Sequence, residues 1–435
     1  MQFSVETTGN IDRKMTVAVP AQQIDQEVEK RLKGMAGRVK IDGFRPGKVP
    51  FTVVKKRYAD SVRYEVVEKL LGSSFQDAAN QEKLRVAGLP EIDLKTMEEG
   101  KDLEFVASFQ VYPDVVIAGV ETLSITRPIA EIADADLDKM IDVIRKQNQE
   151  WNDVERAAAV GDMVNVDFDG SVDGEAFEGG AAQDYSVELG AGRMLKDFEE
   201  GLVGMKAGEE KTIDVAFPES YHAENLKGKT AQFKLTLKKV RESVLPEVNA
   251  DFITKFGLDG GSVDEFRAEV KKNMQRELDN AIKSQLKQQV MDGLSDLHTI
   301  DIPKALVTDE IRYVRDEFSQ NTGSKPDNIP DELFAPQAER RVKLGLIVGE
   351  VIRQNSLQRD PARVEAMLET VAASYEDPQE LKDYYRSNRQ AMQTIEAAVM
   401  EEMIVDWVME KATVTDEPRD FDSVMNPKKP EQAQA

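Results

Sequence analysis

The sequence predicts a multidomain α+β protein, and two observations support that prediction. At 435 residues the chain is longer than one hydrophobic core usually supports. The hydrophobic pattern also changes along the chain: it is mixed at first, alternates strongly over 161–242 and is helical after Pro246. The predicted organisation is an α+β domain (1–113), a linker with one helix (114–150), a β-rich domain (151–246), an all-α domain (247–423) and a disordered polar tail (424–435).

Strands and helices are mixed in the first predicted domain. Residues 1–20 alternate in the manner of a β-hairpin, and residues 21–40 carry apolar side chains at helical spacing. A second helix is predicted over 51–75. The stretch LEFVASFQVYP, at 103–113, has the pattern of a strand that proline ends. The sequence therefore predicts a small α+β domain in which a loop joins two helices.

A linker helix and a compact β-rich module follow. The helix is predicted over 133–151, with Asp134 as its cap. GDMVNVDFDGSVDG, at 161–174, alternates and ends in the strong hairpin signal Asp173-Gly174. RMLKDFEEGL is then predicted as a short helix, and KTIDVAFP and TAQFKLTLKKV as two further strands.

The helical half contains one unusual segment. Eight apolar residues recur at a strict interval of four from Phe266 to Leu294. Because an α-helix has about 3.6 residues per turn, this stripe drifts by roughly 40° per step and winds most of the way round its helix. Two interpretations stay open. Either several neighbouring elements wrap the helix, or part of the stripe is exposed and binds apolar material.

The composition excludes several kinds of functional site. The chain has no cysteine and only two histidines, so disulfides, thiolate metal sites and histidine-rich metal clusters are ruled out. We expect neither a metal nor a cofactor. The first ten residues lack the apolar core of a secretory signal, and no apolar run reaches the roughly 18 residues of a membrane span. These features predict a cytoplasmic protein without membrane contact.

The stretch GFRPGKVP, at 43–50, predicts a rigid cationic loop. Two glycines and two prolines in eight residues cannot continue a helix or a central strand. Residues 30–63 contain eleven cationic and two acidic residues, a local net charge of +9 in a chain of net charge −24. Screening beyond about 8 Å keeps the acidic remainder from cancelling this patch. Either the loop is an ordinary turn, or Arg45 and Lys48 contact phosphates while Phe44 enters an apolar crevice.

Other motifs that could carry chemistry do not fit. The loop lacks the glycine spacing and the Ser or Thr of a phosphate-binding P-loop. DFDGSVDGE, at 167–175, places its acids out of register for calcium. In so acidic a chain, a pair of carboxylates most often belongs to the solvated surface rather than to a catalytic site.

The loop at 43–50 resembles the ribosome-binding signature of the bacterial trigger factor family, and the resemblance extends over the whole chain. Pro46 departs from it, because the family often has a basic residue there. The resemblance implies an N-terminal ribosome-binding domain whose contact residues are Phe44, Arg45, Pro46, Gly47 and Lys48.

The same resemblance implies the partners. They are the large ribosomal subunit near the polypeptide exit, through protein and rRNA, and the nascent or unfolded chains, here called clients. A homodimer away from the ribosome stays open. The all-α domain would then be the chaperone domain, with client-binding residues Phe266, Met274, Leu278 and Ile282 on the winding stripe. Its methionines add adaptable apolar surface.

The β-rich module resembles FKBP-type peptidyl-prolyl isomerases. The matching stretches are GDMVNVDFDG (161–170), FEGG (177–180), ELGAGRMLKDFEEGL (188–202), the turn at 205–209 and the strand at 230–240. The resemblance implies isomerisation of X-Pro bonds, with a backbone donor near Leu195 fixing a substrate carbonyl. It implies a proline pocket lined by Phe168, Phe177, Tyr185, Leu195, Phe198, Tyr221 and Phe233. Without the resemblance, these side chains would be interpreted as core packing.

The combined interpretation is a ribosome-associated chaperone with a built-in proline isomerase. One alternative is a free-standing FKBP-type isomerase whose helical half is a dimerisation domain. Another is an RNA-binding protein that uses the basic patch, although the patch lacks the interleaved aromatic side chains of single-strand binders.

Overall fold

The computed structural model describes residues 1–40, 44, 49–98, 100–221, 223, 225–258, 260–323, 329–373, 375 and 377–427. The chain divides into two units, each built from separate stretches of sequence. The first comprises Met1–Arg127 and Lys283–Glu417, and the second comprises Pro128–Ile282 and continues from Pro418. Within the ranges described, no helix is both long enough and apolar enough to cross a membrane.

Strands occupy mainly the first 244 residues, and helices dominate the remainder. The strands are β1 (Gln2–Thr7), β2 (Asp12–Val19), β3 (Val86–Thr96), β4 (Leu103–Val111), β5 (Ser124–Ile129), β6 (Glu150–Val154), β7 (Met163–Val172), β8 (Glu175–Glu188), β9 (Glu210–Ala216), β10 (Thr230–Val244) and β11 (Thr413–Pro418). The helices are α1 (Ala21–Ala36), α2 (Phe51–Gln81), α3 (Asp134–Gln147), α4 (Lys196–Leu202), α5 (Ala250–Thr254), α6 (Val263–Leu297), α7 (Lys304–Thr322), α8 (Ala335–Gln354), α9 (Pro361–Ala372), α10 (Pro378–Ser387), α11 (Arg389–Lys411) and α12 (Phe421–Met425). The multidomain α+β class is therefore confirmed.

An antiparallel sheet in the order β1-β2-β4-β3 forms the N-terminal core together with α1 and α2. Alternate residues of β2, including Met15 and Val17, are fully buried, which explains the alternating pattern in the sequence. Strand β3 was not predicted. Its pairing with β4 is interrupted between Ala87 and Glu91, and a proline lies in that interval, so the alternation is broken.

The β-rich module is a five-stranded antiparallel sheet. Its order is β6-β10-β7-β8, and β9 also pairs with β10. The predicted hairpin turn at Asp173-Gly174 is present, with φ angles of 55° and 85°. Both residues thus adopt the left-handed conformation that a two-residue hairpin loop requires. Helix α4 packs against this sheet through Phe198 and Leu202.

The winding stripe of α6 is covered by two different sets of neighbours. Its first part packs with Ile141 of α3 and Phe252 of α5. Its second part packs with Ile347 of α8 and Ile404 of α11. The interpretation that several elements wrap this helix is correct, because the drift of the stripe carries successive side chains to different neighbours.

This packing corrects the expectation that the first part of the stripe is exposed. Phe266, Met274 and Leu278 have 2%, 4% and 0% of their surface exposed, and Ile282 is half-buried against the same cluster. These four side chains stabilise the helical core. They do not form an open apolar surface.

Residues 424 and 425, assigned to the disordered tail by the sequence, are part of a helix. Residues 421–425 form α12, and Val424 is fully buried in the cluster that contains Phe266. Asp420 caps this helix by accepting a hydrogen bond from the Ser423 amide. Residues 428–435 lie outside the described residues.

Candidate functional site

An aromatic cavity of about 310 Å³ opens in the β-rich module. Six of the seven predicted pocket residues line it: Phe168, Phe177, Leu195, Phe198, Tyr221 and Phe233. The seventh, Tyr185, is not among the lining residues. Its ring packs edge-on against Phe168 at a centroid distance of 5.8 Å, and 45% of the residue is exposed.

The rings of the pocket hold one another in place. Phe198, at the floor, meets Phe168 and Phe233 edge-to-face, each at a centroid distance of 5.4 Å. Phe177 meets Phe233 in the same manner at 6.0 Å. Edge-to-face contacts between aromatic rings are favourable beyond the area that they bury. The pocket is therefore a preformed apolar slot.

Sequence reasoning missed part of the lining. Phe217 contacts the rings of Phe177 and Tyr221 at 5.9 and 4.7 Å, and Val215 lies beside it. Val215 lies in β9, and Phe217 directly after the strand continues its alternating burial, so the sequence pattern could have identified both. Gly179, Gly192, Arg193 and Met194 complete the wall.

One backbone donor in the pocket wall has no acceptor among the residues that the structure describes. Leu195 accepts hydrogen bonds at its carbonyl oxygen from the amides of Phe198 and Glu199, at 2.9 and 3.1 Å. Its own N–H makes no hydrogen bond with any other described residue. Buried or half-buried amides are usually paired, so this N–H is available to a carbonyl that enters the pocket.

An ion pair anchors the start of the module. Arg156 donates to both carboxylate oxygens of Asp162, at 2.5 and 2.8 Å, and the Ala159 amide donates to the same carboxylate at 2.8 Å. The hydrogen bonds from the guanidinium, and then the one from Ala159, hold the pKa of Asp162 below its usual value, although burial acts in the opposite direction.

The basic patch of the N-terminal domain has an inner and an outer part. In the inner part four cations are paired: Lys30 with Glu27, Arg31 with Glu65, Lys33 with Glu29 and Arg63 with Asp25. All four acidic partners lie outside the 30–63 window, so the count of +9 overstates the free charge.

The cations nearer the loop differ from this inner group. Among the residues that the structure describes, Arg38, Lys40, Lys56 and Arg57 make no ion pair. We call these four residues, together with Phe44, the basic tip. Phe44 is 39% exposed, whereas Val49 at the end of the loop is buried in the core. The predicted contact residues Arg45, Pro46, Gly47 and Lys48 lie outside the described residues.

Three family models match successive parts of the chain. One described as "Bacterial trigger factor protein (TF)" matches residues 1–144, and one described as its C-terminus matches 262–410. Between them, a model described as "FKBP-type peptidyl-prolyl cis-trans isomerase" matches 154–238, which spans the whole aromatic pocket.

Similar proteins match the chain over almost its full length. The trigger factor of Thioalkalivibrio sulfidiphilus is 52% identical, with 99% of each chain covered. That of Pseudomonas putida is 48% identical, with 98% of each chain covered. A solved structure described as "Promiscuous Substrate Recognition in Folding and Assembly Activities of the Trigger Factor Chaperone" aligns with 94% of this chain and 99% of that chain, at a TM-score of 0.48 and 16% identity.

The fold, the pocket and these matches define a class of protein: a ribosome-associated chaperone that carries an FKBP-type peptidyl-prolyl isomerase domain. Within that class, the chain belongs to the trigger factor family. A free-standing isomerase with a helical dimerisation domain is not favoured, because the match includes the N-terminal and C-terminal domains.

Proposed function

We propose that the aromatic pocket is the active site, in which Phe168, Phe177, Phe198 and Phe233 hold the proline ring of an X-Pro bond. The observation that supports this most is their convergence, with Leu195 and Tyr221, on one preformed cavity. Tyr185, packed against Phe168 at the edge, contacts the residues that flank the proline.

The chemistry needs no proton transfer and no nucleophile. Rotation about a peptide bond must cross about 18–20 kcal/mol, because the twisted amide loses its resonance. The twisted amide is less polar than the planar one, so an apolar slot stabilises it selectively. The Leu195 N–H binds a substrate carbonyl and holds the chain while the bond rotates. The pocket thereby lowers the barrier by environment and position alone.

Substituting Leu195 tests the donor directly. Its φ angle is −59°, which proline also adopts, so Leu195→Pro removes the N–H with little change of the backbone. Leu195→Ala is the matched control, since it removes the same side chain and keeps the N–H. We expect kcat/KM for a short X-Pro peptide to be about three- to tenfold lower for proline than for alanine. Equal activities would contradict the role of the donor.

We propose that the basic tip and the neighbouring residues Arg45, Pro46, Gly47 and Lys48 dock on the large ribosomal subunit near the polypeptide exit. The unpaired cations suit rRNA phosphates, and the exposed ring of Phe44 suits an apolar crevice of a ribosomal protein. Footprinting of rRNA and crosslinking from position 44 test this. Protection confined to the small subunit would contradict the proposal.

Clients, in this proposal, bind exposed apolar side chains of the helical half, because the first part of the stripe is buried. Tyr313, Phe318, Leu333 and Tyr384 are between 41% and 69% exposed. A shallow cavity of about 440 Å³ is lined by Tyr313, Leu306 and Leu346 together with the acidic residues Asp309 and Glu310. Such a surface adapts to varied apolar segments with basic neighbours.

Aggregation of a refolding enzyme measures this activity. The double variant Tyr313→Ser/Leu346→Ser should suppress aggregation less well than the parent. Tyr64→Ser, equally exposed but on α2, is the matched control. Equal suppression by all three proteins would exclude this surface.

Away from the ribosome we propose a cytoplasmic protein that forms a homodimer through its exposed apolar side chains. Self-association hides such surface from water. Sedimentation of the purified chain over a range of concentrations tests this, and a monomer at every concentration would contradict it.

A further inference from the structure

A buried carboxylate lies behind the wall of the proline pocket. Glu199 of α4 is only 7% exposed. Its Oε2 accepts hydrogen bonds from the amides of Gly190 and Gly192, at 2.8 and 3.4 Å, and its Oε1 accepts one from Met194 at 3.1 Å. No cation of the described chain lies within ion-pair distance of it. Backbone amides of one short loop therefore supply its hydrogen bonds.

These three amides alternate with others in the same loop. Between β8 and α4, the amides of residues 190, 192 and 194 bind the carboxylate. The Ala191 amide donates a hydrogen bond to the backbone carbonyl oxygen of Glu188. The amides of Arg193 and Leu195 make no hydrogen bond to described residues. Gly190 and Gly192 have φ angles of 89° and 68°, a conformation that glycine adopts without strain. The carboxylate thus engages every second amide, and the last unengaged one is the donor in the pocket.

We propose that Glu199 is a positioning residue for the isomerase reaction, which sets the position of the Leu195 N–H by holding the loop at 190–194. This inference rests on the proposed role of that donor. Hydrogen bonds to a carboxylate are charge-assisted and therefore stronger than those between neutral groups. One carboxylate can thus hold three amides in place in a loop that could otherwise adopt other conformations. The wall residues Gly192, Arg193 and Met194 are fixed by the same contacts.

Glu199→Gln in the full-length protein tests the proposal. Glutamine keeps the shape, but it presents one acceptor oxygen and one NH₂ donor where two oxygens accept three amides. We expect kcat/KM for an X-Pro peptide to fall by about three- to tenfold, the same range as for removal of the donor itself, at a temperature where the variant is fully folded. Glu200→Gln is the matched control. It lies next in α4, is 65% exposed and pairs only with Lys196, so its kcat/KM should stay within about twofold.

A double-mutant cycle separates positioning from general support of the fold. If Glu199 acts through the Leu195 N–H, Glu199→Gln should lower kcat/KM by about three- to tenfold in the Leu195→Ala background. It should cost less than about twofold in the Leu195→Pro background, where the donor is already absent. The amide proton resonances of Gly190, Gly192 and Met194 should move upfield in Glu199→Gln and not in Glu200→Gln. Glu199→Asp, which shortens the side chain and keeps its charge, replaces the glutamine variant if that one does not fold.

The outcomes distinguish the two proposals. Equal losses in the alanine and proline backgrounds, or full activity of Glu199→Gln with a lowered Tm, would overturn the positioning role alone. Equal activities of Leu195→Pro and Leu195→Ala would overturn the donor as well, and with it this inference. A loss of kcat/KM on Glu199→Gln that occurs only in backgrounds that keep the Leu195 N–H supports both the donor and the positioning role.

Discussion

The proline pocket and the basic tip are built on opposite principles. In the pocket, aromatic rings touch one another, and Phe198 at its floor is 1% exposed. At the tip, Phe44 is 39% exposed and the cations make no ion pairs within the described chain. The pocket has a fixed shape, whereas the tip carries charge that no described residue neutralises.

This difference predicts different responses to change. Each pocket residue also supports the fold, so a single substitution affects catalysis and stability together. If the tip docks as proposed, each tip residue should add a small, nearly independent and salt-sensitive contribution to binding and contribute little to stability.

Removing the β-rich module should abolish isomerisation and spare the holding of clients. Residues 150 and 244 are paired across β6 and β10, so a short linker can replace the module between them. The deletion variant should show no X-Pro isomerisation and should still suppress aggregation of a refolding enzyme. If aggregation suppression disappears as well in a folded deletion variant, the helical half is not the chaperone.

The triple variant Phe44→Ala/Arg45→Ala/Lys48→Ala should lose ribosome binding by about a hundredfold or more, since it removes the apolar contact and two cations together. Its unfolding transition should match that of the parent, because Phe44 is outside the core. Co-sedimentation with ribosomes at moderate salt measures the loss. Unchanged co-sedimentation would refute docking through the tip.

Phe198→Ala should lower kcat/KM for an X-Pro peptide at least about tenfold. It should also reduce the free energy of unfolding by about 3–5 kcal/mol, because the ring is fully buried. Tyr221→Ala, which removes a half-buried ring of the wall, should show the catalytic loss with a smaller loss of stability. Phe256→Ala, a half-exposed ring outside the module, should leave isomerisation intact. Parental rates in both folded pocket variants would refute the pocket assignment.

Two double variants compare unpaired with paired cations of the basic patch. Lys56→Ala/Arg57→Ala removes unpaired charge and should weaken ribosome binding up to about tenfold, with a shallower dependence on salt. Lys30→Ala/Lys33→Ala removes the same charge where Glu27 and Glu29 already neutralise it. Its affinity should stay within about twofold. Equal losses for the two variants would show that total charge, rather than unpaired charge, determines docking.

Acid should lower the stability of the β-rich module by protonating Asp162. Its pKa is lower in the folded protein than the value of about 3.9 in the unfolded chain, so the folded state disfavours the proton. The stabilisation is complete above that unfolded value and is lost as the pH falls through the folded pKa. Asp162→Asn should cost about 1–3 kcal/mol at pH 7 and remove this contribution to acid sensitivity. Asp153→Asn, in an exposed pair with Lys239, is the control and should cost less than about 0.5 kcal/mol. Parallel acid titrations of all three proteins would contradict the assignment.

The fold was predictable wherever one pattern was regular over several turns or one full strand. The helix at 51–75 and the hairpin at Asp173-Gly174 were found, because each depends on neighbouring residues. Strand β6 was missed, since its five residues are too few to show a period. The fate of the stripe in α6 was left open, because covering it depends on α8 and α11, which are distant in sequence.

The candidate sites were predictable to different degrees. Six pocket residues came from the family resemblance, whereas Phe217 lies outside the matching stretches and was signalled only by the alternation that continues from β9. The net charge of residues 30–63 overestimates the free charge of the patch, because Glu65 and Asp25 lie just outside this range and pair with its cations. Neither the free N–H of Leu195 nor the amides around Glu199 are visible in a sequence, since they are features of the backbone.

The discontinuous first unit has a consequence for the order in which the protein folds as it is synthesised. Val115 accepts a hydrogen bond from Gln354, 239 residues later, and Arg127 pairs with Asp416, 289 residues later. The core of the β-rich module contains only residues between 154 and 240, including those of α4, so the module can fold while the chain is still growing. The core around Val120 stays open until α11 has emerged. A chaperone that binds incompletely synthesised chains therefore remains incompletely folded itself during much of its own synthesis.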